Sequence, residues 1–116
     1  MNEDTIRTRV TSSSIGHPGR ALTSARTNHL IIDSPTIGES ITSGEAFLAG
    51  ISSCGVTLVE TQAQRSGVPL AGLTVAIEGA RAADRPAEFQ SISLRFELAG
   101  VSQEQADQLV GVYKST

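Results

Sequence analysis

The 116-residue chain contains a single cysteine, Cys54, and this thiol is its one strong candidate for a nucleophile. A thiolate can attack a peroxide, a disulfide or an electrophilic carbon, so a reactive Cys54 would support redox or covalent chemistry. Two interpretations of Cys54 stay open: an inert buried residue, because apolar surroundings favour the neutral thiol, or a nucleophile whose thiolate is stabilised by a cation from another segment. The positions beside Cys54 at helical spacing are mostly apolar, namely Phe47, Gly50, Ile51, Thr57, Leu58 and Thr61.

Basic residues around a predicted turn are the candidates for that cation. The segment Gly16-His17-Pro18-Gly19 is a dense turn signal, and Arg20 and Arg26 follow it closely. An arginine beside Cys54 would stabilise the thiolate and could donate a hydrogen bond to a peroxide oxygen. The alternative is that His17 is a turn residue and that the two arginines are solvated charges of loops or strands.

Glu45 is an acidic candidate for the same site, although its position first predicts a role in capping a helix. Thr42 and Glu45 have the spacing of a capping box, in which each side chain satisfies the other residue's free backbone N–H. Nine residues at about 100° each place Glu45 and Cys54 on opposite faces of a straight helix. Glu45 could therefore act on Cys54 only through another element or a partner subunit.

Composition and motifs exclude several other classes of function. The sequence has no Gly-rich phosphate loop, no His pair at metal-ligand spacing and no serine-elbow motif, so we predict neither a cofactor nor a metal. Nine Lys and Arg against 12 Asp and Glu give a formal charge of −3, and aromatic residues are 3% of the chain, which disfavours nucleic acid and anionic membranes as partners. No apolar run approaches the roughly 20 residues of a membrane helix, and the polar N-terminus does not resemble a signal peptide. Because a lone thiol is typical of a reducing compartment, we expect a cytoplasmic protein.

Hydropathy patterns predict strands first, then a long helix, a hairpin and a second helix. Alternation of Ile6, Thr8 and Val10 with polar residues predicts a strand over 5–11. The capping box at Thr42 precedes a proline-free helix over 46–65, and a second capping box, Ser102 with Gln105, precedes a shorter helix. Further strands are predicted at 21–25, 28–33, 73–78 and 91–98. Because its triplet Leu30-Ile31-Ile32 is the more apolar, the strand 28–33 should lie deeper than the strand 21–25.

This order of elements indicates an α+β fold. Apolar residues fall on nearly all sides of the long helix, which is typical of a buried helix, and Gly50 and Gly55 within it predict close approach by another element. We expect one domain over 1–116 in which an antiparallel sheet wraps a long buried central helix. A chain of this length buries a limited core, so we also expect a homodimer.

The whole pattern resembles the OsmC/Ohr family, the osmotically inducible and organic hydroperoxide resistance proteins. The resemblance covers nearly all of the chain and rests on three stretches in the same order as in the family. These are Gly16-His17-Pro18-Gly19-Arg20-Ala21 leading to the strand 29–33, then Gly44-Glu45-Ala46-Phe47-Leu48-Ala49-Gly50-Ile51-Ser52-Ser53-Cys54, and finally the hairpin 73–98 followed by the helix 102–113.

The resemblance implies an intertwined α+β homodimer with two long helices at its centre. Active members of the family reduce organic hydroperoxides with a pair of cysteines. The first cysteine, which Cys54 matches, attacks the peroxide and becomes a sulfenic acid. The second cysteine closes a disulfide, which a dithiol cofactor or protein then reduces.

The sequence departs from the family pattern at several positions. The family's second cysteine follows the last matched helix, so we expect no resolving cysteine within 1–116 and a domain without the family's C-terminal segment. The turn arginine that assists the first cysteine falls at His17, and Arg20 matches a neighbouring arginine. The family's glutamate at the start of the helix aligns with Gly44, one residue before Glu45.

Two functions from different classes follow from the resemblance. The first is thiol-dependent reduction of organic hydroperoxides, with Cys54 as nucleophile, Arg20, His17 and Glu45 as further candidates for the catalytic site, and an external thiol as reductant. The second is a non-catalytic dimer of the same fold that has lost peroxidase chemistry and binds a small apolar ligand. A third hypothesis is a structural or interaction module unrelated to the family.

Overall fold

Two helices and five strands make up the regular structure of residues 5–115, the part of the chain that the computed structural model describes. The strands form two antiparallel sheets, one in the order β1-β2-β3 and the other a β4-β5 hairpin, so the predicted α+β class is confirmed. The chain divides into two compact units, Met1–Ala46 and Phe47–Thr116. The elements in chain order are β1 (Thr11–Ser14), β2 (Arg20–Ala25), β3 (Asn28–Asp33), α1 (Ser43–Ser66), β4 (Gly72–Ala80), β5 (Ser91–Ala99) and α2 (Gln103–Ser115).

The first strand begins later than the sequence predicts. Residues 5–10 carry no regular structure, and the side chains of Ile6 and Val10 are exposed. The β1 strand starts at Thr11 because its partner β2 ends one residue beyond the Thr11–Ser24 pair. The predicted strand over 5–11 is therefore wrong: alternating hydropathy needs a neighbouring strand to pair with, and β2 turns away at this point.

The β2 and β3 strands form the hairpin that holds the buried polar residue of the first unit. They are joined by a tight turn in which Arg26 takes a positive φ of 58°. Burial along β3 increases toward its end, where Asp33 has no exposed surface, whereas Leu30 keeps 47% of its surface exposed. The apolar triplet does not lie deeper than β2, whose six residues are all half-buried, so this prediction is wrong. The buried end of β3 is occupied by the carboxylate of Asp33.

The long helix α1 begins at the capping box that the sequence predicts. The backbone N–H of Thr42 donates to Oε1 of Glu45 at 2.9 Å, and the N–H of Glu45 donates to Oγ1 of Thr42 at 3.2 Å. These two bonds satisfy donors that a free helix end leaves unpaired. The helix ends before Gly67, which has the positive φ of 68° typical of a residue that terminates a helix.

The second unit has a small apolar core between α1, α2 and the β4-β5 hairpin. Val59, Ala63 and Leu109 are buried there. In the single chain the burial of α1 follows one stripe, Gly55, Val59 and Ala63, and its other positions are half-buried or exposed. Across residues 5–115, neither helix combines the length and the apolar character needed to cross a membrane. The partly buried residues that pack on the core are Val68, Leu70, Leu73, Phe96, Leu98 and Tyr113.

Candidate active site around Cys54

Cys54 lies on an exposed stripe of α1 and not in the core. Its side chain is solvent-exposed, whereas the adjacent Gly55 is buried. Phe47, Gly50, Cys54 and Leu58 are separated by three or four residues each, so they share one face of the helix. Of the two interpretations that the sequence left open, the inert buried thiol does not hold for the single chain.

A groove follows this stripe. We define the Cys54 groove by its six lining residues, and it has a volume of about 610 Å³. Phe47 and Cys54 are seven residues apart, a rise of about 10 Å along the helix. Gly50 lies between them, and a Cβ added there would meet nothing within 4 Å. The lining residues are Phe47, Gly50, Ile51, Cys54, Leu58 and Tyr113.

Tyr113 of α2 holds the other side of the groove against α1. Its hydroxyl donates a hydrogen bond to the backbone oxygen of Ile51 at 3.4 Å, and its ring lies 5.3 Å from that of Phe96 on β5. A Cβ at Gly55 would lie 3.3 Å from Phe96 and 3.7 Å from Tyr113. The close approach predicted at Gly55 is therefore present, and the side chains of the hairpin and of α2 make it. At Gly50 the same prediction is wrong for the single chain, because no atom of another element lies within 4 Å of the added Cβ.

An aromatic pair, formed by Phe47 and Phe89, adjoins the groove through Phe47, which lines it. The two rings stack with their centroids 5.8 Å apart and their planes 17° apart. The guanidinium carbon of Arg81 lies 5.3 Å from the centroid of the Phe89 ring, and Arg81 Nη1 donates to the backbone oxygen of Pro86 at 3.2 Å. Arg81 thus places a cation against the Phe89 ring.

Arg20 is part of an ion-pair cluster in the first unit. Its Nε donates to Oδ1 of Asp33 at 2.7 Å, and its Nη2 donates to Oδ2 of Asp33 at 3.0 Å and to Oε1 of Glu39 at 2.8 Å. The hydrogen bond from Arg20 is the main reason why the pKa of Asp33 falls to about 2, and it outweighs burial, which raises that pKa. The same bonds, to Asp33 first and then to Glu39, raise the pKa of Arg20. One cation and two carboxylates give this cluster a formal charge of 1 − 2 = −1, so the charge of Arg20 is already compensated within the unit.

His17 and Glu45 occupy the positions that the local sequence predicts. His17 is exposed in the turn between β1 and β2, where its backbone oxygen accepts a hydrogen bond from the N–H of Arg20 at 3.1 Å. Glu45 has its carboxylate in the capping box of α1. Arg26 does not join His17 and Arg20, because Arg20 begins the extended strand β2 and Arg26 follows its last residue. The roles of these residues toward Cys54 stay predictions.

Two residues beside the groove, Arg81 and Phe89, were not predicted from the sequence, because they fall between the predicted strands and outside every predicted element. One signal was present: Gly79 lies inside β4, where glycine commonly marks a close approach. A Cβ at Gly79 would overlap the Phe89 ring, so the missing side chain creates the seat of that ring.

Comparison with known proteins gives a consistent result. A family model described as OsmC-like protein matches residues 37–114. No curated protein sequence matches the chain. The structure is similar to an OsmC-like protein from Mycoplasma pneumoniae, with a TM-score of 0.79 and 12% identity over 91% of this chain and 79% of that one.

Two further solved structures carry names related to hydroperoxide resistance. An organic hydroperoxide resistance protein OsmC from Legionella pneumophila has a TM-score of 0.74 and 19% identity, over 97% of this chain and 85% of that one. The organic hydroperoxide resistance protein OhrB of Bacillus subtilis has a TM-score of 0.65 and 16% identity, over 95% and 84% of the two chains. At these identities the similarity establishes a shared fold.

Proposed function

We propose that this chain, which belongs to the OsmC-like protein family, reduces organic hydroperoxides through the thiol of Cys54, with an external thiol as the reductant. The observation that carries the proposal is the exposure of Cys54 in an apolar groove. A peroxide needs access to the sulfur, and an organic peroxide also needs apolar surface for its carbon skeleton. The groove offers both.

The reaction consists of one oxidation step at Cys54 followed by two steps in which an external thiol reduces it. The thiolate of Cys54 attacks the distal peroxide oxygen, the O–O bond breaks, and the leaving alkoxide takes up a proton to become an alcohol, so that Cys54 becomes a sulfenic acid. One external thiol condenses with the sulfenic acid, forming a mixed disulfide and water. A second external thiol then attacks this disulfide, which restores Cys54 and releases the oxidised reductant. The net change is one hydroperoxide and two thiols to one alcohol, one disulfide and water.

Arg20, His17 and Glu45 are the further residues proposed for this site. An arginine or imidazolium would stabilise the thiolate and the developing charge on the peroxide. Two features support Arg20: Asp33 fixes the direction of its guanidinium, and its bond to Glu39 involves a carboxylate whose side chain is 72% exposed, a contact that a substrate or water can replace. Glu45, committed to the helix cap, acts through another element.

The proposal includes a cytoplasmic homodimer with one OsmC-like domain per chain. Among residues 5–114 the buried apolar core of a chain comprises Val59, Ala63 and Leu109, and large side chains such as Phe47 stay exposed, which favours association. The family model spans the boundary between the two units, which supports a single domain. A lone thiol fits a reducing compartment. Sedimentation velocity is expected to give twice the 12.1 kDa chain mass, and a monomer would contradict this part.

Consumption of cumene hydroperoxide tests the reaction. With dithiothreitol or dihydrolipoamide as reductant, we expect turnover by the wild-type protein and none by Cys54→Ser. Ser53→Ala is the matched control, because Ser53 is a neighbouring exposed residue whose hydroxyl bonds the backbone of its own helix. Equal rates for wild type and Cys54→Ser would refute the proposal.

The second candidate is a non-catalytic protein that binds a small apolar ligand in the same groove. The observation in its favour is the apolar lining by Phe47, Ile51 and Leu58. It predicts slow alkylation of Cys54 at neutral pH and no hydroperoxide turnover. Rapid labelling by iodoacetamide near pH 6 would show a stabilised thiolate and would count against it.

A further inference from the structure

Three arginines line one pocket of the first unit, which we call the arginine pocket. It has a volume of about 550 Å³, and no carboxylate is among its lining residues. Within residues 5–115 none of the three arginines takes part in an ion pair. The pocket therefore gathers three positive charges that no neighbouring carboxylate in this range compensates. The lining residues are Arg7, Thr8, Arg9, Ala25 and Arg26.

The acidic residues of the first unit are engaged elsewhere. Among residues 5–46 there are three of them. Asp33 and Glu39 pair with Arg20. Glu45 has its carboxylate in the capping box of α1. Three like charges brought together repel one another, and an anion bound between them replaces this repulsion with attraction.

Arg26 occupies a turn position at which glycine is the favoured residue. The turn between β2 and β3 has two residues, Arg26 and Thr27, and only the first of them has a positive φ. A two-residue turn of this pattern favours glycine at its first position, because a Cβ there carries a steric cost. The structure accepts that cost at a position whose side chain lines the arginine pocket.

The strand register brings Arg9 to the same turn. The β1 and β2 strands pair from Thr11 with Ser24, so continuing their register by two residues would place Arg9 opposite Arg26. Like charges directly opposite each other oppose strand pairing. This repulsion is a further reason why the segment 5–10 stays unpaired beside the turn, and an anion between the two guanidinium groups would relieve it.

We infer that the arginine pocket binds a small free compound that carries two or more phosphate groups. The inference is independent of the proposed function, because it uses no residue of the Cys54 groove. A planar guanidinium donates two parallel hydrogen bonds to a phosphate. A phosphate monoester carries roughly two negative charges at pH 7, so a ligand with two phosphate groups compensates three arginines, whereas a single carboxylate does not.

Charge and lining favour a small ligand over a macromolecule. The whole chain has a formal charge of −3, which disfavours extended polyanions such as nucleic acid or an anionic membrane. A compact ligand responds chiefly to charges within a Debye length, about 8 Å at physiological ionic strength, and so to the three arginines. No aromatic residue lines the pocket, so the site offers hydrogen bonds to phosphate and no surface on which a base stacks.

Isothermal titration calorimetry of the full chain with inorganic pyrophosphate tests the site. We expect saturable binding about tenfold tighter than that of orthophosphate at equal ionic strength, because the second phosphate engages a further guanidinium. Arg7→Gln, Arg9→Gln and Arg26→Gln should each raise the Kd by about two- to fivefold, the effect of one exposed ion pair. Arg85→Gln is the matched control, because it removes one exposed charge of the second unit and should leave the Kd unchanged.

The contrary outcomes are distinct. No saturable binding of pyrophosphate, the same Kd in all variants, or citrate bound as tightly as pyrophosphate would overturn the inference. Sedimentation with vesicles containing phosphatidylserine and a gel shift with duplex DNA measure the two macromolecular alternatives. Binding to either of them without binding of pyrophosphate would also overturn the free ligand and would assign the arginines to a macromolecular surface.

Arg26→Gly separates binding from the stability of the turn. Removing the side chain relieves the turn, so the urea midpoint should stay the same or rise, whereas the pyrophosphate Kd should rise as in Arg26→Gln. Arg26→Lys keeps the charge without the planar fork and should restore part of the affinity. A lower urea midpoint with an unchanged Kd in Arg26→Gly would assign Arg26 to the turn alone and would overturn its place in the site.

Discussion

Replacing Arg20 with Gln should change how Asp33 couples folding to pH. In the folded protein the Asp33 carboxylate has no exposed surface and accepts hydrogen bonds from two nitrogens of Arg20 and from the backbone N–H groups of Glu39 and Ser40, at 3.1 and 2.8 Å. These hydrogen bonds, of which those from Arg20 have the largest effect, lower the pKa of Asp33 from 3.8 for the free side chain to about 2.

The sign follows from proton linkage. Because the pKa of Asp33 is lower in the folded than in the unfolded state, its contribution to stability is present above pH 3.8 and is lost as the pH falls toward 2. In Arg20→Gln the largest cause of the low pKa is gone, and burial, which raises the pKa, opposes the two backbone hydrogen bonds. The pKa of Asp33 is then expected to rise from about 2 toward its ordinary value of 3.8. The stability difference between wild type and variant should therefore widen from pH 2 to pH 4 and stay constant from there to pH 7.

Two measurements check this prediction. The ¹³C NMR titration of the Asp33 carboxyl carbon gives its pKa directly, and urea unfolding at each pH gives the stability difference. Arg95→Gln is the matched control, because Arg95 pairs with Glu97 and both side chains are more than half exposed, so its curve should run parallel to that of the wild type. A pKa of Asp33 that stays at about 2 in Arg20→Gln, or a stability difference that is the same at pH 2 as at pH 7, would contradict this prediction.

Three further predictions concern the helix α1. Val59→Ala removes two buried methyl groups and should lower the free energy of unfolding by about 2 kcal/mol, measured by urea denaturation. Thr42→Ala removes the Oγ1 that accepts the hydrogen bond from the N–H of Glu45 and should cost about 1 kcal/mol, with faster amide hydrogen exchange in the first turn. Gly55→Ala places a Cβ 3.3 Å from Phe96, so crowding of roughly 1–3 kcal/mol should offset or exceed the helix-propensity gain of about 1 kcal/mol and alter the near-ultraviolet circular dichroism.

Each of these predictions has a contrary outcome. Unchanged stability of Val59→Ala would mean that the core between α1 and α2 collapses around the smaller side chain. Unchanged exchange in Thr42→Ala would show that the capping box does not hold the first turn. If Gly55→Ala raises the free energy of unfolding by the full helix-propensity difference of about 1 kcal/mol and leaves the near-ultraviolet spectrum unchanged, then the ring of Phe96 does not crowd α1.

The local elements and the helix face that carries the candidate nucleophile could be predicted from the sequence. Capping boxes at Thr42 and Ser102 and the strand alternation around Ile92 depend on neighbours within a few residues, and the structure confirms the elements that they predict. The shared helix face of Phe47 and Cys54 follows from the same local periodicity. The α+β class follows from the order of these elements.

Long-range partners could be read only from the folded chain. Arg20 meets Asp33 and Phe47 meets Phe89 across separations of 13 and 42 residues, and no periodicity in the sequence relates such positions. The burial of Asp33 and the absence of a strand over 5–10 likewise depend on where β2 ends and which chain segment lies opposite. Hydrophobic patterns and caps depend on interactions within one element, so the sequence predicts them. A charge partner or a ring stack depends on which elements lie side by side, and only the tertiary structure determines that arrangement.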